Sequence, residues 1–146
     1  MKRERDWHTC SLRVRYSETD QMGVVYHANY LTWFEIGRTE FIREKGMAYK
    51  EAESLGLLMP VVDVQIRYLH PARYDDVVEV RTRIAELGAI RMRFEYEIRN
   101  AVQSGAILAT GRTEHVWVGK DWKPVRLAKA APEIYRVLLE TARETN

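Results

Sequence analysis

The chain is predicted to be α+β, with a five-stranded antiparallel sheet wrapped around one long helix and a short helix at the C-terminus. Two observations carry this. Residues 28–45 hold the longest helix-periodic stretch, and four consecutive segments after it alternate apolar and polar residues with a period of two. One strand before the long helix and a short helical segment at the end complete the order. A single helix followed by antiparallel strands places that helix on one sheet face.

Each element is written locally. In residues 8–16, Cys10, Leu12, Val14 and Tyr16 alternate with Thr9, Ser11, Arg13 and Arg15, the signature of a half-buried strand ending at Tyr16. The helix at 28–45 carries Leu31, Phe34, Phe41 and Ile42 at helical spacing, and Gly46 follows as a stop. Trp33 and Ile36 widen its apolar surface beyond one stripe, so the sheet is expected to curl around it. Gly37 in its middle costs about 1 kcal/mol against alanine. Close approach of the sheet is the preferred explanation, with simple tolerance as the alternative.

A short helical or irregular connector is expected over 49–57. The strand at 61–69 presents Val62, Val64, Ile66 and Tyr68 as its apolar face; that at 77–87 presents Val78, Val80, Thr82 and Ile84. The clearest strand, 90–100, sets Ile90, Met92, Phe94, Tyr96 and Ile98 against Arg91, Arg93, Glu95, Glu97 and Arg99. Turns at Gly88 and at Ser104–Gly105 join the last strands as hairpins. The final strand, 107–118, contains Gly111, which marks a bulge or a close backbone contact. Ile134, Val137 and Leu138 give a helix over 131–143, with Pro132 near its start. The charged face of the sheet suits solvent or a polar oligomer interface.

The 146 residues fit one domain, 1–146, and 46% apolar with 30% charged residues is a globular composition. A net charge of +2 gives no reason to expect nucleic acid as a partner. Cys10 stands alone, so no disulfide framework is expected. Residues 1–15 lack the apolar core of a secretion signal, and no run reaches the ~20 apolar residues of a bilayer span. A soluble cytoplasmic protein with no membrane insertion is the expectation.

The chemistry concentrates in residues 16–38. A strand-like run enters, Asp20 sits in the turn of Thr19-Asp20-Gln21-Met22-Gly23, and a helix leaves. A turn into a helix places a side chain beside free backbone N–H groups, which bind anions. Asp20 is thereby placed to attack, or to activate water, where an oxyanion can be held; equally, an aspartate in such a turn can be a turn former only. Residues 24–29 would supply the oxyanion donors, foremost the His27 N–H, with the helix dipole adding roughly half a positive charge. The His27 ring either takes part or merely packs. Tyr16 supports catalysis if its ring points to the turn, and is otherwise core filler. Glu35 and Arg38 either pair on the helix surface or shape the site. His8, His27, His70 and His115 show no metal-ligand spacing, so no metal is expected. No GxSxG, GxGxxG or Walker loop occurs, and no cofactor is expected.

The run Tyr16-x-x-x-Asp20-x-x-Gly23-Val24-Val25-Tyr26-His27-x-Asn29-Tyr30, followed by Glu35 and Arg38, resembles the signature of hotdog-fold acyl-CoA thioesterases. The resemblance is to the 4-hydroxybenzoyl-CoA thioesterase family, especially the short-chain acyl-CoA members associated with the Tol-Pal system. It extends to a second segment, Arg67-Tyr68-Leu69-His70-Pro71-Ala72-Arg73-Tyr74-Asp75-Asp76. It implies the hotdog fold, hydrolysis of an acyl-CoA substrate, and a homodimer or homotetramer whose sites lie at a subunit boundary. It also implies that Asp20 is the catalytic carboxylate, with His27 and Tyr16 beside it and Gly23, Val25, Tyr26, Asn29 and Glu35 toward the substrate. A hydratase or dehydratase on acyl thioesters, and a non-catalytic acyl-thioester-binding scaffold, are the competing readings. Coenzyme A phosphates would need cations, for which Arg67, Arg73, Arg91, Arg93, Lys120 and Lys123 are candidates; the acyl group is left open.

Overall fold

The computed structural model describes residues 7–47, 49–102 and 105–145. Its elements are β1 (His8–Arg13), a 3-10 turn (Tyr16–Glu18), α1 (Asn29–Glu44), α2 (Tyr49–Ser54), β2 (Val61–Tyr68), β3 (Val77–Leu87), β4 (Arg91–Asn100), β5 (Ile107–Val116), α3 (Leu127–Ala130) and α4 (Pro132–Thr145). The strands form one antiparallel five-stranded sheet in the order β1-β3-β4-β5-β2.

Helix α1 lies within the curl of this sheet, and two glycines let it do so. A Cβ on Gly37 would stand 2.6 Å from both the Val80 side chain and the Thr82 hydroxyl. A Cβ on Gly111 would meet the Phe34 ring at 2.5 Å. Each is closer than any real Cβ contact. Phe34 therefore lies flat on β4 and β5, its ring stacked on Tyr96 with centroids 4.2 Å apart. Val78, Val80, Thr82 and Ile84 of β3, and Met92, Phe94, Tyr96 and Ile98 of β4, are all buried beneath the helix side of the sheet.

The elements depart from the sequence pattern chiefly at β1 and at the C-terminal end. Strand β1 ends at Arg13, and Tyr16 begins the 3-10 turn instead of closing the strand. The reason is local: the Glu18 carboxylate accepts the Arg15 N–H at 2.8 Å, so the backbone finds its partner in the turn rather than in the sheet. Helix α3 is additional to the predicted elements, and α4 runs to Thr145. Of the expected Ser104–Gly105 turn, Gly105 has φ +63°, while Ser104 lies outside the described residues.

The larger difference is β2. Its expected apolar face is not buried by the chain's own elements: Val62, Val64 and Tyr68 are exposed, and only Ile66 is half-buried. As the last strand in the order, β2 pairs with β5 alone. Helix α1 packs chiefly on β3 and β1, at the other side of the sheet, so among the described residues no layer of the chain covers the β2 face.

Candidate active site

The Asp20 loop is a short closed structure built on Glu18. Thr19 and Val25 form an antiparallel bridge, and the Asp20 N–H donates to the Val24 carbonyl at 2.9 Å. One residue further out, the Tyr26 N–H donates to the Glu18 carbonyl at 2.9 Å, and the Asn29 side-chain amide donates to the same oxygen at 2.8 Å. Gly23, at φ +78°, turns the chain at the tip, where other residues are strained. Residues 18–26 thus fold back on themselves directly before α1.

The half-buried Asp20 side chain accepts the Met22 N–H at 2.9 Å through Oδ1, which fixes the carboxylate relative to its own loop. At the helix start, Asn29 donates to the Tyr26 carbonyl, while Tyr30 and Leu31 donate to the His27 and Ala28 carbonyls. Among the described residues, the N–H groups of His27 and Ala28 meet no protein acceptor. These are the unsatisfied donors that a helix N-terminus carries, and they enter the helix just after the Asp20 loop closes.

The second motif segment clamps the first. The Tyr68 hydroxyl donates to the His27 carbonyl at 2.8 Å, and the Val25 N–H donates to the Ala72 carbonyl at 2.8 Å. The Val14 N–H donates to the Asp76 carbonyl at 2.8 Å, holding the entrance to the loop. The rings of Tyr26, His27, Tyr68 and Tyr30 meet edge-on in succession, with centroids 4.5, 6.3 and 5.1 Å apart. Two segments some 50 residues apart in the chain therefore make one site wall.

The sequence-predicted residues fall into three groups. Asp20, Gly23, Val25, Tyr26, His27 and Asn29 come together in the loop and helix start, with Val25 buried and the His27 ring exposed. Tyr16 is 77% exposed, and its ring packs edge-on against Tyr74 at 5.7 Å. Glu35 sits six residues along α1, roughly 9 Å up the axis from Asn29. There it borders a separate cavity of about 170 Å³ with Arg38, Met59 and Trp117.

Sequence reasoning missed Glu18. It is 7% exposed, and every acceptor it offers is used: Oε1 takes the Arg15 N–H at 2.8 Å and Oε2 the Trp33 indole N–H at 2.8 Å. The signal was present as a carboxylate three residues after Arg15, the spacing of a capping box. A second buried polar chain lies deeper. Tyr96 and Thr113 hydroxyls are 2.6 Å apart, Thr113 is 2.8 Å from His115 Nε2, and His115 Nδ1 is 3.3 Å from the Met59 carbonyl. Burial, reinforced by the nearby Arg38 charge, pushes the His115 imidazole down to about 4.

Among the described residues no cluster of three or more His, Cys, Asp or Glu side chains could hold a metal ion, and no helix is long and apolar enough to cross a membrane.

Comparison with known proteins identifies the family. A family described as the thioesterase-like superfamily matches residues 14–138. The putative acyl-CoA thioesterase YneP of Bacillus subtilis is 42% identical over 123 residues, 84% of this chain and 88% of that one. The acyl-CoA thioester hydrolase YbgC of Escherichia coli O6:H1 is 34% identical over 90 residues, covering 62% of this chain and 67% of that one. The crystal structure of a DHNA-CoA thioesterase from Staphylococcus aureus superposes with a TM-score of 0.88 at 33% identity, over 94% of this chain and 91% of the other. With its sheet curled around α1 and the match running from the entrance of the Asp20 loop into α4, the chain belongs to the thioesterase-like superfamily and has the hotdog fold.

Proposed function

We propose that the protein hydrolyses acyl-CoA thioesters to the free acid and coenzyme A, with Asp20 as the catalytic carboxylate. The observation that carries this reading is the pairing of a fixed carboxylate with unmatched helix-start donors. Oδ1 of Asp20 is occupied by the Met22 N–H, and the His27 and Ala28 N–H groups stand open at the start of α1. A thioester carbonyl lying between them would have its oxygen polarised by the N–H groups and its carbon presented to Asp20. Asp20 then either adds to that carbon, giving a mixed anhydride that water cleaves, or takes a proton from water as hydroxide adds. In both routes the C–S bond breaks and the thiolate leaves as a stable anion, which reduces the demand for a general acid. Tyr26, Asn29 and Tyr68 shape the loop around the substrate, and Tyr16 and Glu35 lie toward its periphery.

The branch with 4-hydroxybenzoyl-CoA and Tol-Pal-associated short-chain thioesterases is the placement the Asp20 motif supports. A homodimer or homotetramer is the assembly that β2 supports. Val61, Val62, Val64, Tyr68 and Leu69 are exposed along the open edge, beside Leu31 and Ile36 of α1. Pairing this edge with that of a second copy would cover them and continue the sheet. The site wall formed by Tyr68 would then lie at the subunit boundary.

The deciding experiment is thiol release from a series of acyl-CoA esters of graded length, with benzoyl and phenylacetyl derivatives included. Turnover on at least one member, lowered at least ~100-fold by Asp20→Ala and Asp20→Asn, is expected. A change in double-bond absorbance without thiol release would indicate a hydratase. Light scattering should give a multiple of the 17.2 kDa chain, and a fully active monomer would overturn the dimer.

A further inference from the structure

The sheet face turned away from α1 carries a groove of about 730 Å³ that the proposed reaction does not use. On β2, Ile66 packs toward the core and the Tyr68 hydroxyl reaches His27, so the intervening Arg67 and neighbouring Gln65 point to the opposite face. Strand register then writes two rows across the groove. One runs Gln65, Arg112, Glu95, Arg83, and the next runs Arg67, Thr110, Glu97, Arg81. Each row holds two cations and one anion, and Arg99 adds a further cation to the lining.

Arg83 is the informative member. Its side chain is only 6% exposed, yet among the described residues it makes a single ion pair, Nη2 to Glu95 Oε1 at 2.7 Å. Its guanidinium lies 4.8 Å from the centre of the Trp7 ring, which fixes its plane. Nε and Nη1 are buried and have no hydrogen-bond partner among the described residues. Leaving charged donors buried and unmatched carries their full desolvation penalty. Such a cost persists most readily where a ligand supplies the acceptors. Unlike Arg83, Arg67 and Arg112 form no ion pair among the described residues. In the order β3-β4-β5-β2, Arg112 stands two strand spacings (~10 Å) from Arg83 and Arg67 three (~14 Å), within the combined reach of extended arginine side chains that lean toward one multiply charged anion.

The net excess of three positive charges in the groove selects the occupant. The same face of a second copy would bring cations against cations, which opposes face-to-face packing. Residues 1–6 hold three basic and two acidic residues and so carry no net negative charge. Guanidinium forks match phosphate oxygens in bidentate geometry. We propose that this outer-face groove binds a ligand bearing clustered phosphates, held by Arg83, Arg112 and Arg67, on the side of the sheet opposite the Asp20 loop. The shared chemistry is a pyrophosphate group, carried either by a free nucleoside polyphosphate or by the nucleotide end of coenzyme A. The inference stands independently of the thioesterase reading.

The test is isothermal titration calorimetry on the full chain with inorganic pyrophosphate, against sodium chloride at equal ionic strength. Saturable pyrophosphate binding, weakened at least ~10-fold by Arg112→Gln, is expected. Arg112→Gln should leave hydrolysis of a phosphate-free acyl-pantetheine thioester unchanged. Separate titrations with ATP and with coenzyme A identify the source, the tighter of the two being the occupant. Heats no larger than those of sodium chloride, or pyrophosphate binding indifferent to Arg112→Gln, would overturn the site. Dissociation of the assembly by Arg112→Gln in light scattering would overturn it in favour of a second copy.

Discussion

Glu18 Oε2 accepts the indole N–H of Trp33 at 2.8 Å, tying the base of the Asp20 loop to the second turn of α1. Both partners are buried, so neither can exchange this bond for water. Through its carbonyl the same residue holds Tyr26 and Asn29. Glu18 therefore sets the distance between the carboxylate two residues later and the helix start that follows the loop.

Replacing Glu18 should separate positioning from chemistry. Glu18→Leu removes the acceptor for the Arg15 and Trp33 donors and is expected to cost about 1.5–3 kcal/mol, the range for hydrogen bonds to a charged group. Glu18→Gln keeps an oxygen for Trp33 but turns amide hydrogens toward Arg15, so its loss should be smaller. Turnover should fall in the same order, while Trp33→Phe, which leaves Glu18 half satisfied, should lie between. Urea unfolding together with kcat for the three variants checks this. A Glu18→Leu protein with native stability and native kcat would show that the loop is held by other means.

Gly37→Ala and Gly111→Ala should each destabilise, for different reasons. At Gly37 the new methyl meets two side chains on β3, Val80 and Thr82. At Gly111 it meets the Phe34 ring and, at 2.9 Å, the Gln65 backbone carbonyl, which cannot rotate away. Overpacking of this kind costs about 1–3 kcal/mol, with Gly111 expected toward the upper end. Urea midpoints measure both. Equal or improved stability would mean that α1 can lift from the sheet without loss.

Much of this architecture can be read along the chain, because periodicity and glycine placement are local records of burial. Gly37 sits inside a helix and Gly111 inside a strand, each against its propensity, and both prove to mark a backbone approached by a neighbour. The Asp20 loop was legible for a similar reason, since turn residues before a helical run locate a helix start. What the pattern could not carry is the partner of each group. Alternation in β2 shows that one face is apolar without saying which surface covers it, and the chain's own elements leave it exposed. Alternation from Cys10 to Tyr16 overran β1 because a single hydrogen bond from Arg15 to Glu18 redirects the backbone, and such a bond has no period. Glu18 itself reads as one more charged residue until its three-dimensional partners appear.

His115 makes stability depend on pH in a definite direction. Its imidazole is fully buried between Thr113 and the Met59 carbonyl, with the Phe94 ring edge-on at 5.4 Å. Burial and the Arg38 charge hold its folded-state value at about 4, against 6.5 when exposed. The unfolded chain therefore takes up a proton first as pH falls. Full stability is present above pH 6.5 and is lost progressively toward the folded value, at up to ~1.4 kcal/mol per pH unit. Burial also lowers His8, which adds to the slope with the same sign. Unfolding free energy measured between pH 7 and 5, mostly above the range where ordinary carboxylates titrate, should decline. In His115→Phe the protein should be weaker at pH 7 but its slope shallower. An unchanged slope would assign the acid sensitivity to other groups.

His27 offers two things to the site, a backbone N–H and a ring, and the geometry favours the first. The N–H meets no protein acceptor among the described residues, while the carbonyl is held by the Tyr68 hydroxyl and the Tyr30 N–H. The ring is exposed and meets the rings of Tyr26 and Tyr68 edge-on. His27→Ala keeps the N–H, the carbonyl and the helix start, so kcat should fall by no more than ~10-fold, short of the ~10²–10⁴ of a missing acid or base. The pH–rate profile should keep its shape between pH 5 and 8, where a participating histidine would change charge. Tyr68→Phe is the complementary variant, since it frees the His27 carbonyl without touching the ring, and should lower kcat by a comparable factor through a looser helix start. Measuring kcat and KM across pH for both variants decides the matter. Loss of a limb in the His27→Ala profile, with a fall approaching that of Asp20→Ala, would move the imidazole into the chemistry and demote the N–H to scaffolding.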